Sequence, residues 1–176
     1  MSSPVDSPGT ATPGAAGPFA SLRDYLATLE QRGLLLRIPE FDQDAYESTA
    51  FAYRLIERCG YNQAPAFRFD RVKIDGAWVD GPVIGGAYGP WLGEALCFGM
   101  TGYRSSHEAY AATLEKVLSL RGPQGYPHIP PREVAAADAP VKEVRLEGDA
   151  VDLTRFPFIK TNPADAGRYI NSGCLL

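Results

Sequence analysis

The sequence predicts an α+β protein, an α/β N-terminal domain followed by short strands of the kind that open a β-barrel. Three observations lead there. Apolar residues recur at helical spacing in three separate stretches before Gly122, and strand-like runs lie between those stretches. Prolines crowd residues 122–140, with Pro123, Pro127, Pro130, Pro131 and Pro140. After them the pattern changes to short strands broken by turns.

The 176 residues begin with a stretch, 1–18, made mostly of Ser, Pro, Gly, Ala and Thr. It holds too little apolar area to offset the entropy of ordering a backbone, so a disordered tail is expected there. Order is expected from Phe19. Ser21 and Asp24 have the S-x-x-D form of a helix start, and Leu22, Tyr25, Leu26 and Leu29 follow at i, i+3, i+4 and i+7. Gly33 offers the left-handed stop. Leu34 to Ile38 reads as a buried strand ended by Pro39.

Asp42 to Cys59 carries the second helical period, with Ala45, Thr49, Ala52, Ile56 and Cys59 on one side and Gly60 as its end. Phe67, Phe69, Val72, Ile74, Trp78 and Val79 are strand residues. Their alternation slips near Asp70 and Arg71, which predicts a bulge. Asp75-Gly76 is a two-residue hairpin turn, because glycine accepts positive φ. Pro82 to Gly86 reads as a further strand, and Trp91 to Phe98 as a short helix stopped by Gly99. Ser105 and Glu108 form a capping box for a third long helix, whose apolar face of Tyr110, Leu114, Val117 and Leu118 is expected to pack into a core.

These elements define an expected N-terminal domain over 19–121, a Pro-rich linker over 122–140 and a second domain over 141–176. In the last, Val141 to Leu146, Val151 to Leu153 and Arg168 to Leu176 read as strands, with a turn at Glu147-Gly148-Asp149. The run from Tyr169 to Leu176 reads as a strand and ends on the apolar Leu175 and Leu176 without a polar, Gly or Pro terminus, and so few strands are too small a sheet to close a barrel. The second domain is therefore expected to be incomplete.

Composition narrows the function classes. Hydrophobic residues make up 45% and charged residues 22%, and the net charge is −4, with Lys and Arg scattered and no basic stripe. A general affinity for nucleic acid or anionic lipid is not expected from that balance. No apolar run approaches the ~20 residues of a membrane span, and no secretory signal is legible. Cys59, Cys97 and Cys174 stand apart and read as reduced thiols of a cytoplasmic protein, Cys174 as a buried structural one. His107 and His128 have no ligand partner at metal-binding spacing.

Five segments, in order, resemble the UbiD family of reversible decarboxylases. They are Phe19 to Ile38 (FASLRDYLATLEQRGLLLRI), Ala64 to Lys73 (APAFRFDRVK), Pro82 to Gly89 (PVIGGAYG), Ala139 to Pro157 (APVKEVRLEGDAVDLTRFP) and Asp165 to Ile170 (DAGRYI). The likeness spans Phe19 to Leu176. It departs from the family pattern at Leu92-Gly93-Glu94, where the family usually carries a charged RER.

The resemblance implies an α/β domain leading into a split, flavin reductase-like β-barrel. It also implies a third, C-terminal domain that mediates dimer or higher assembly. The implied activity is non-oxidative decarboxylation, sometimes run as carboxylation, of an aromatic, heteroaromatic or α,β-unsaturated acid. The implied cofactor is prenylated FMN, with Mn2+ and K+ at its phosphate. The family's Asn, His and Glu of the metal site and its Glu-Arg-Glu proton-transfer set have no counterpart here, and Asn171 lies too early to be that Asn. No catalytic, cofactor-binding or metal residue is therefore carried over, and the chain alone is expected to be inactive. Ser172 matches a small hydroxyl residue on the family's substrate-pocket wall, with Asn171 and Gly173 beside it. Ser172 equally suits a barrel layer, and both readings stay open.

Other charged or glycine-rich positions carry less. Decarboxylation needs an electron sink that side chains do not provide, so a cofactor must supply it, with a cation for the carboxylate and an acid from the protein. Arg155, Lys160, Asp165 and Arg168 are candidates of the right type, although loop charges usually form solvated faces. Gly85, Gly86, Gly89 and Gly93 lack phosphate-loop spacing and mark tight turns. The expected partners are a small carboxylic acid, the remainder of a decarboxylase polypeptide or a second chain, and further copies in a homo-oligomer. Two other readings compete: a non-catalytic binding or assembly module with the same N-terminal fold, and a small flavin reductase-like barrel using free FMN. The strand count after Pro140 speaks against the second.

Overall fold

The computed structural model describes residues 16–169. Four α-helices and a three-stranded mixed sheet precede residue 120, in the order α1 (Leu22–Gln31), β1 (Leu35–Asp42), α2 (Glu47–Cys59), β2 (Ala66–Ile74), β3 (Ala77–Gly85), α3 (Trp91–Cys97) and α4 (Ser106–Ser119). The sheet order is β1-β2-β3, and the sheet is not closed into a barrel. β1 and β2 are parallel, joined through α2, whereas β2 and β3 form an antiparallel hairpin. Among the described residues no helix is long and apolar enough to cross a membrane.

The local signals act as expected in this region. Ser21 and Ser105 are N-caps whose hydroxyls accept from the backbone N–H of Asp24 and Glu108. Asp75 and Gly76 both take positive φ (51° and 77°), the geometry that matches a two-residue turn to strand twist. The ladder between β2 and β3 shifts register between Phe69 and Arg71, at the predicted bulge. Pro39 does not end β1, which continues to Asp42. β1 is an edge strand, and Pro39 falls at the gap in its pairing with β2, between Ile38 opposite Phe69 and Glu40 opposite Arg71. α2 starts at Glu47 and not at Asp42, because Asp42 closes β1 and its carboxylate accepts from the N–H groups of Asp44 and Ala45 in a turn.

Two apolar clusters hold the sheet and helices together. Tyr25, Leu29, Leu35, Ala66 and Leu96 join α1, β1, β2 and α3. Phe41, Phe67, Phe69, Val72 and Ile74 form the second, with Phe51 and Leu55 of α2, Val83 of β3 and Ile159 packed against it. The ring centroids of Phe41 and Phe69 lie 4.2 Å apart, and Phe51 meets Phe67 edge-on at 5.3 Å.

Two expectations fail. Tyr110, Leu114 and Leu118 of α4 are exposed, and the helix instead buries Ala109 and Thr113. Its neighbour α3 has only seven residues, too short a helix to cover a wider stripe. Within 141–169 no β-strand forms: Pro140–Lys142, Gly148–Ala150 and Leu153–Arg155 are 3₁₀ turns, and one isolated bridge joins Ile159 to Tyr169. The opening strands of a split barrel are thus absent among the described residues. A strand is stable only beside another, and here Val141, Val144 and Leu153 face solvent with no strand opposite.

The expected tail overlaps residues 1–15, which lie outside the described residues. Residues 16–18 run beside α3, where the N–H of Gly17 donates to Leu96 O at 2.7 Å.

Candidate functional site

A cavity opens where the segment 156–169 returns to the α/β unit. Its volume is about 970 Å³. One wall is α2, through Ser48, Ala52 and Ile56. The floor is the sheet, through Phe67, Phe69 and Val83, and the far wall is the returning segment, through Phe158, Thr161 and Tyr169.

Polar bonds fix that segment in place. Gln43 Nε2 donates to Lys160 O at 2.6 Å, and Thr49 Oγ1 donates to Thr161 O at 2.6 Å. Ile159 enters the aromatic cluster beneath. Asp165 closes a loop by accepting from Asn162 N at 2.8 Å and Thr161 Oγ1 at 3.0 Å, and the hydroxyls of Thr161 and Tyr169 are bonded to each other. Tyr169 N donates to Ile159 O at 3.0 Å, and Arg168 forms an ion pair with Asp75 on the β2–β3 turn. Asn162's N–H, more than any other group, holds the Asp165 carboxyl below the usual carboxylate range.

One glycine sets the packing of the floor. A Cβ on Gly85 would lie 2.2 Å from the Phe67 ring, so only glycine lets β3 pass over that phenyl group. The role foreseen for Gly85 as part of a turn is replaced by close packing.

Among the described residues, the cavity lining contains no Asp, Glu, Lys, Arg or His. It offers hydroxyls, one amide and aromatic surface. Ser48 Oγ is buried without a protein hydrogen-bond partner, as is Gln43 Oε1. Such a lining suits an apolar body. Among the described residues its titratable side chains are the phenols of Tyr53, Tyr61 and Tyr169, and no carboxyl, imidazole or amine lines it.

The residues singled out from the sequence are dispersed. Asn171, Ser172, Gly173 and Cys174 lie outside the described residues; Tyr169, on the cavity wall, immediately precedes their segment. Arg155 is exposed on a 3₁₀ turn, Lys160 contributes its carbonyl to Gln43, and Asp165 and Arg168 secure the loop just described. Cys97 lies against Tyr25, and burial pushes its thiol up, away from a nucleophilic thiolate. Sequence reasoning missed Ser48 and the tethering role of Gln43. The only signal was two adjacent hydroxyl residues, Ser48-Thr49, opening a helix whose periodicity otherwise pointed to core.

The cofactor set implied by the family does not fit the described residues. No group of three His, Cys, Asp or Glu is placed to hold a metal ion, and the cavity has no cation for a phosphate.

Comparison with known proteins supplies the relationship that this geometry alone does not. The family described as 3-octaprenyl-4-hydroxybenzoate carboxy-lyase (UbiD), Rift-related domain, matches residues 132–176. A phenolic acid decarboxylase of Streptomyces sp. (strain D7) is 31% identical over 167 residues, covering 90% of this chain and 31% of the relative. The phenolic acid decarboxylase of Sedimentibacter hydroxybenzoicus is 28% identical over 158 residues, covering 90% of this chain and 30% of the relative. The open form of the Sedimentibacter hydroxybenzoicus vanillic acid decarboxylase, ShVdcCD, superposes with a TM-score of 0.61 at 28% identity, covering 86% of this chain and 30% of that one. The chain therefore spans about 30% of the length of the relatives it matches. Over most of its length it is homologous to the UbiD-family decarboxylases of the phenolic and vanillic acid type.

Proposed function

We propose that this chain is the N-terminal part of a reversible, non-oxidative decarboxylase that acts on an aromatic, heteroaromatic or α,β-unsaturated carboxylic acid with prenylated FMN. The observation that carries this is the 31% identity with a phenolic acid decarboxylase across 90% of the chain. Prenylated FMN would supply the electron sink that carboxylate loss demands. Its phosphate site, Mn2+ and K+ would be held by residues other than those described here.

On this reading the α/β unit is a scaffold. Its α2 and β2–β3 turn grip the segment 156–169 and deliver Arg168 and Tyr169 toward the run that contains Asn171, Ser172 and Gly173, the proposed pocket wall. Residues 122–140 would link the scaffold to the cofactor domain. The catalytic carboxylates and metal ligands would come from the remainder of the decarboxylase polypeptide or a second chain, in a cytoplasmic homo-oligomer. The ShVdcCD structure includes a second polypeptide, ShVdcD, which supports a partner chain.

A chimera tests it. Residues 16–176 are exchanged for the matching N-terminal third of the Sedimentibacter enzyme, and CO2 release from vanillate is measured after loading with prenylated FMN. Turnover by the chimera and none by the isolated chain is the expected result. A chimera that folds and binds flavin but releases no CO2 would sink the reading.

A further inference from the structure

We propose that the mouth of this cavity is a groove for an extended proline-rich segment, and that its occupant is residues 126–131 of a second copy of the chain. The groove carries the first half. Leu22, Tyr53, Tyr61, Phe156 and Tyr169 line the cavity yet are 41–73% exposed, which places them at its mouth. Large apolar side chains gathered in the open mark an interaction site. The hydroxyls of Tyr53 and Tyr61 make no bond within the chain among the described residues. Aromatic rims with free donors suit proline-rich ligands. The rings take the pyrrolidine faces, and the donors take backbone carbonyls that the polyproline conformation leaves unpaired.

The segment Tyr126-Pro127-His128-Ile129-Pro130-Pro131 carries the second half. Pro127, Pro130 and Pro131 fix their own φ, and Tyr126, Ile129 and Pro130 are each held extended by the proline that follows. Only His128 escapes this restraint. The bound conformation is thus largely set before a partner arrives, which lowers the entropy cost of docking. A polyproline helix repeats every three residues, so Tyr126 and Ile129 form one ridge and Pro127 and Pro130 the ridge beside it. Both ridges are apolar. His128 and Pro131 make the third, which is left to face solvent. Every residue of the segment is exposed, and none makes a hydrogen bond in the chain.

A second copy is favoured because one chain leaves both groove and ligand open. Two copies can exchange segments about a two-fold axis, each groove taking the other's segment. The second contact of such a pair forms within the complex, so it strengthens the first without further surface. A foreign peptide would make one contact only. Charge agrees with the match. No charged side chain lines the groove among the described residues, and residues 126–131 contain no Asp, Glu, Lys or Arg. The exchange involves neither flavin nor turnover, so it is independent of the decarboxylase reading.

The test is made on the full 176-residue chain. Sedimentation over a range of concentrations should show a monomer–dimer equilibrium, and a peptide of residues 125–134 should dissociate the dimer. The same peptide, labelled, should bind the chain saturably. It should bind Tyr61→Ala about tenfold more weakly, the loss of one ring contact and one hydrogen bond. Pro127→Ala combined with Pro130→Ala should leave the chain monomeric at unchanged circular dichroism, while its groove still binds the peptide. If Tyr61→Ala fails to fold, the proline variant still decides. A chain that stays monomeric up to its solubility limit, a dimer untouched by the proline variant, or equal peptide affinity with and without Tyr61 would each overturn the proposal. So would a groove that excludes the peptide once the remaining decarboxylase polypeptide is added, which would assign the mouth to that polypeptide.

Discussion

The α/β unit before residue 120 and the arm that follows it use similar aliphatic residues to opposite effect. Leu29 and Val72 are 0% exposed, whereas Ile129 and Val141 are 85% and 86% exposed. The difference is not hydrophobicity but the presence of a facing element. Val72 sits between two ladders, paired with Phe41 on one side and Val79 on the other. Val141 lies in a 3₁₀ turn with solvent around it. From Phe156 onward the arm returns to the α/β unit, and there it helps to make the cavity.

The sharpest way to break this comparison is to remove side chains on both sides of it. Phe69 is 1% exposed and touches Phe41, Phe51 and Phe67. Phe69→Ala should cost about 3–5 kcal/mol, through lost transfer energy and a cavity among rings that cannot collapse. Val141→Ala should stay within about 0.5 kcal/mol. Urea unfolding of the two variants checks both, and a comparable loss from Val141→Ala would show that the arm is packed in solution.

Overpacking comes next in size. Gly85→Ala places a methyl group against Phe67 and should destabilise by about 1–3 kcal/mol. A thermal melt of the variant beside the unaltered chain measures the loss.

A smaller effect isolates the arm. Gln43→Ala and Thr49→Val each remove one bond to the carbonyls of Lys160 and Thr161, worth about 1 kcal/mol apiece. Cleavage by a protease between residues 122 and 165 should speed up, while the urea midpoint of the α/β unit moves little. An unchanged cleavage rate would mean that Ile159 and the Arg168–Asp75 pair hold the arm without them.

These contrasts also show which parts were legible in the sequence. Helix starts at Ser21 and Ser105, the Asp75-Gly76 turn and the bulge near Asp70 could be read because each depends on residues close along the chain. The fate of Tyr110, Leu114 and Leu118 could not, because periodicity states which side of a helix is apolar and not whether anything covers it. The strands foreseen at Val141 to Leu146 and Val151 to Leu153 failed for the same reason, since Val141, Val144 and Leu153 lack a facing ladder; the one foreseen from Arg168 to Leu176 lies mostly outside the described residues. The cavity was illegible because it joins Ser48, Phe67 and Tyr169, far apart in the chain and unremarkable singly. The family relationship was legible because APVKEV, VDLTRFP and DAGRYI are motifs of identity and order, which need no tertiary knowledge.

Acid should distinguish the two regions most finely. Asp70 accepts from Arg37 Nε and Arg68 Nε, each at 2.7 Å, and the bond from Arg37 is the main reason its carboxyl sits below the usual range. Asp42 is lowered chiefly by its bond from Lys73 Nζ at 2.8 Å. A carboxylate depressed in the folded state stabilises at pH above its unfolded pKa, about 3.9, and that stabilisation disappears as pH falls through the lower folded value. Both groups bridge β1 and β2, so the loss should appear in the global unfolding midpoint, as a decline below about pH 4 that Asp70→Asn flattens. In the arm, Asp152 is lowered mainly by the Thr154 hydroxyl and Asp165 mainly by Asn162 N, contacts within single loops. Their protonation should change protease cleavage of the arm while leaving the midpoint alone. These pairs are at least partly solvent-exposed, so added salt should shrink the effect on the sheet pairs more than on the backbone-capped Asp165. A midpoint that stays flat to the lowest accessible pH would show that the β1–β2 ion pairs do not hold the sheet.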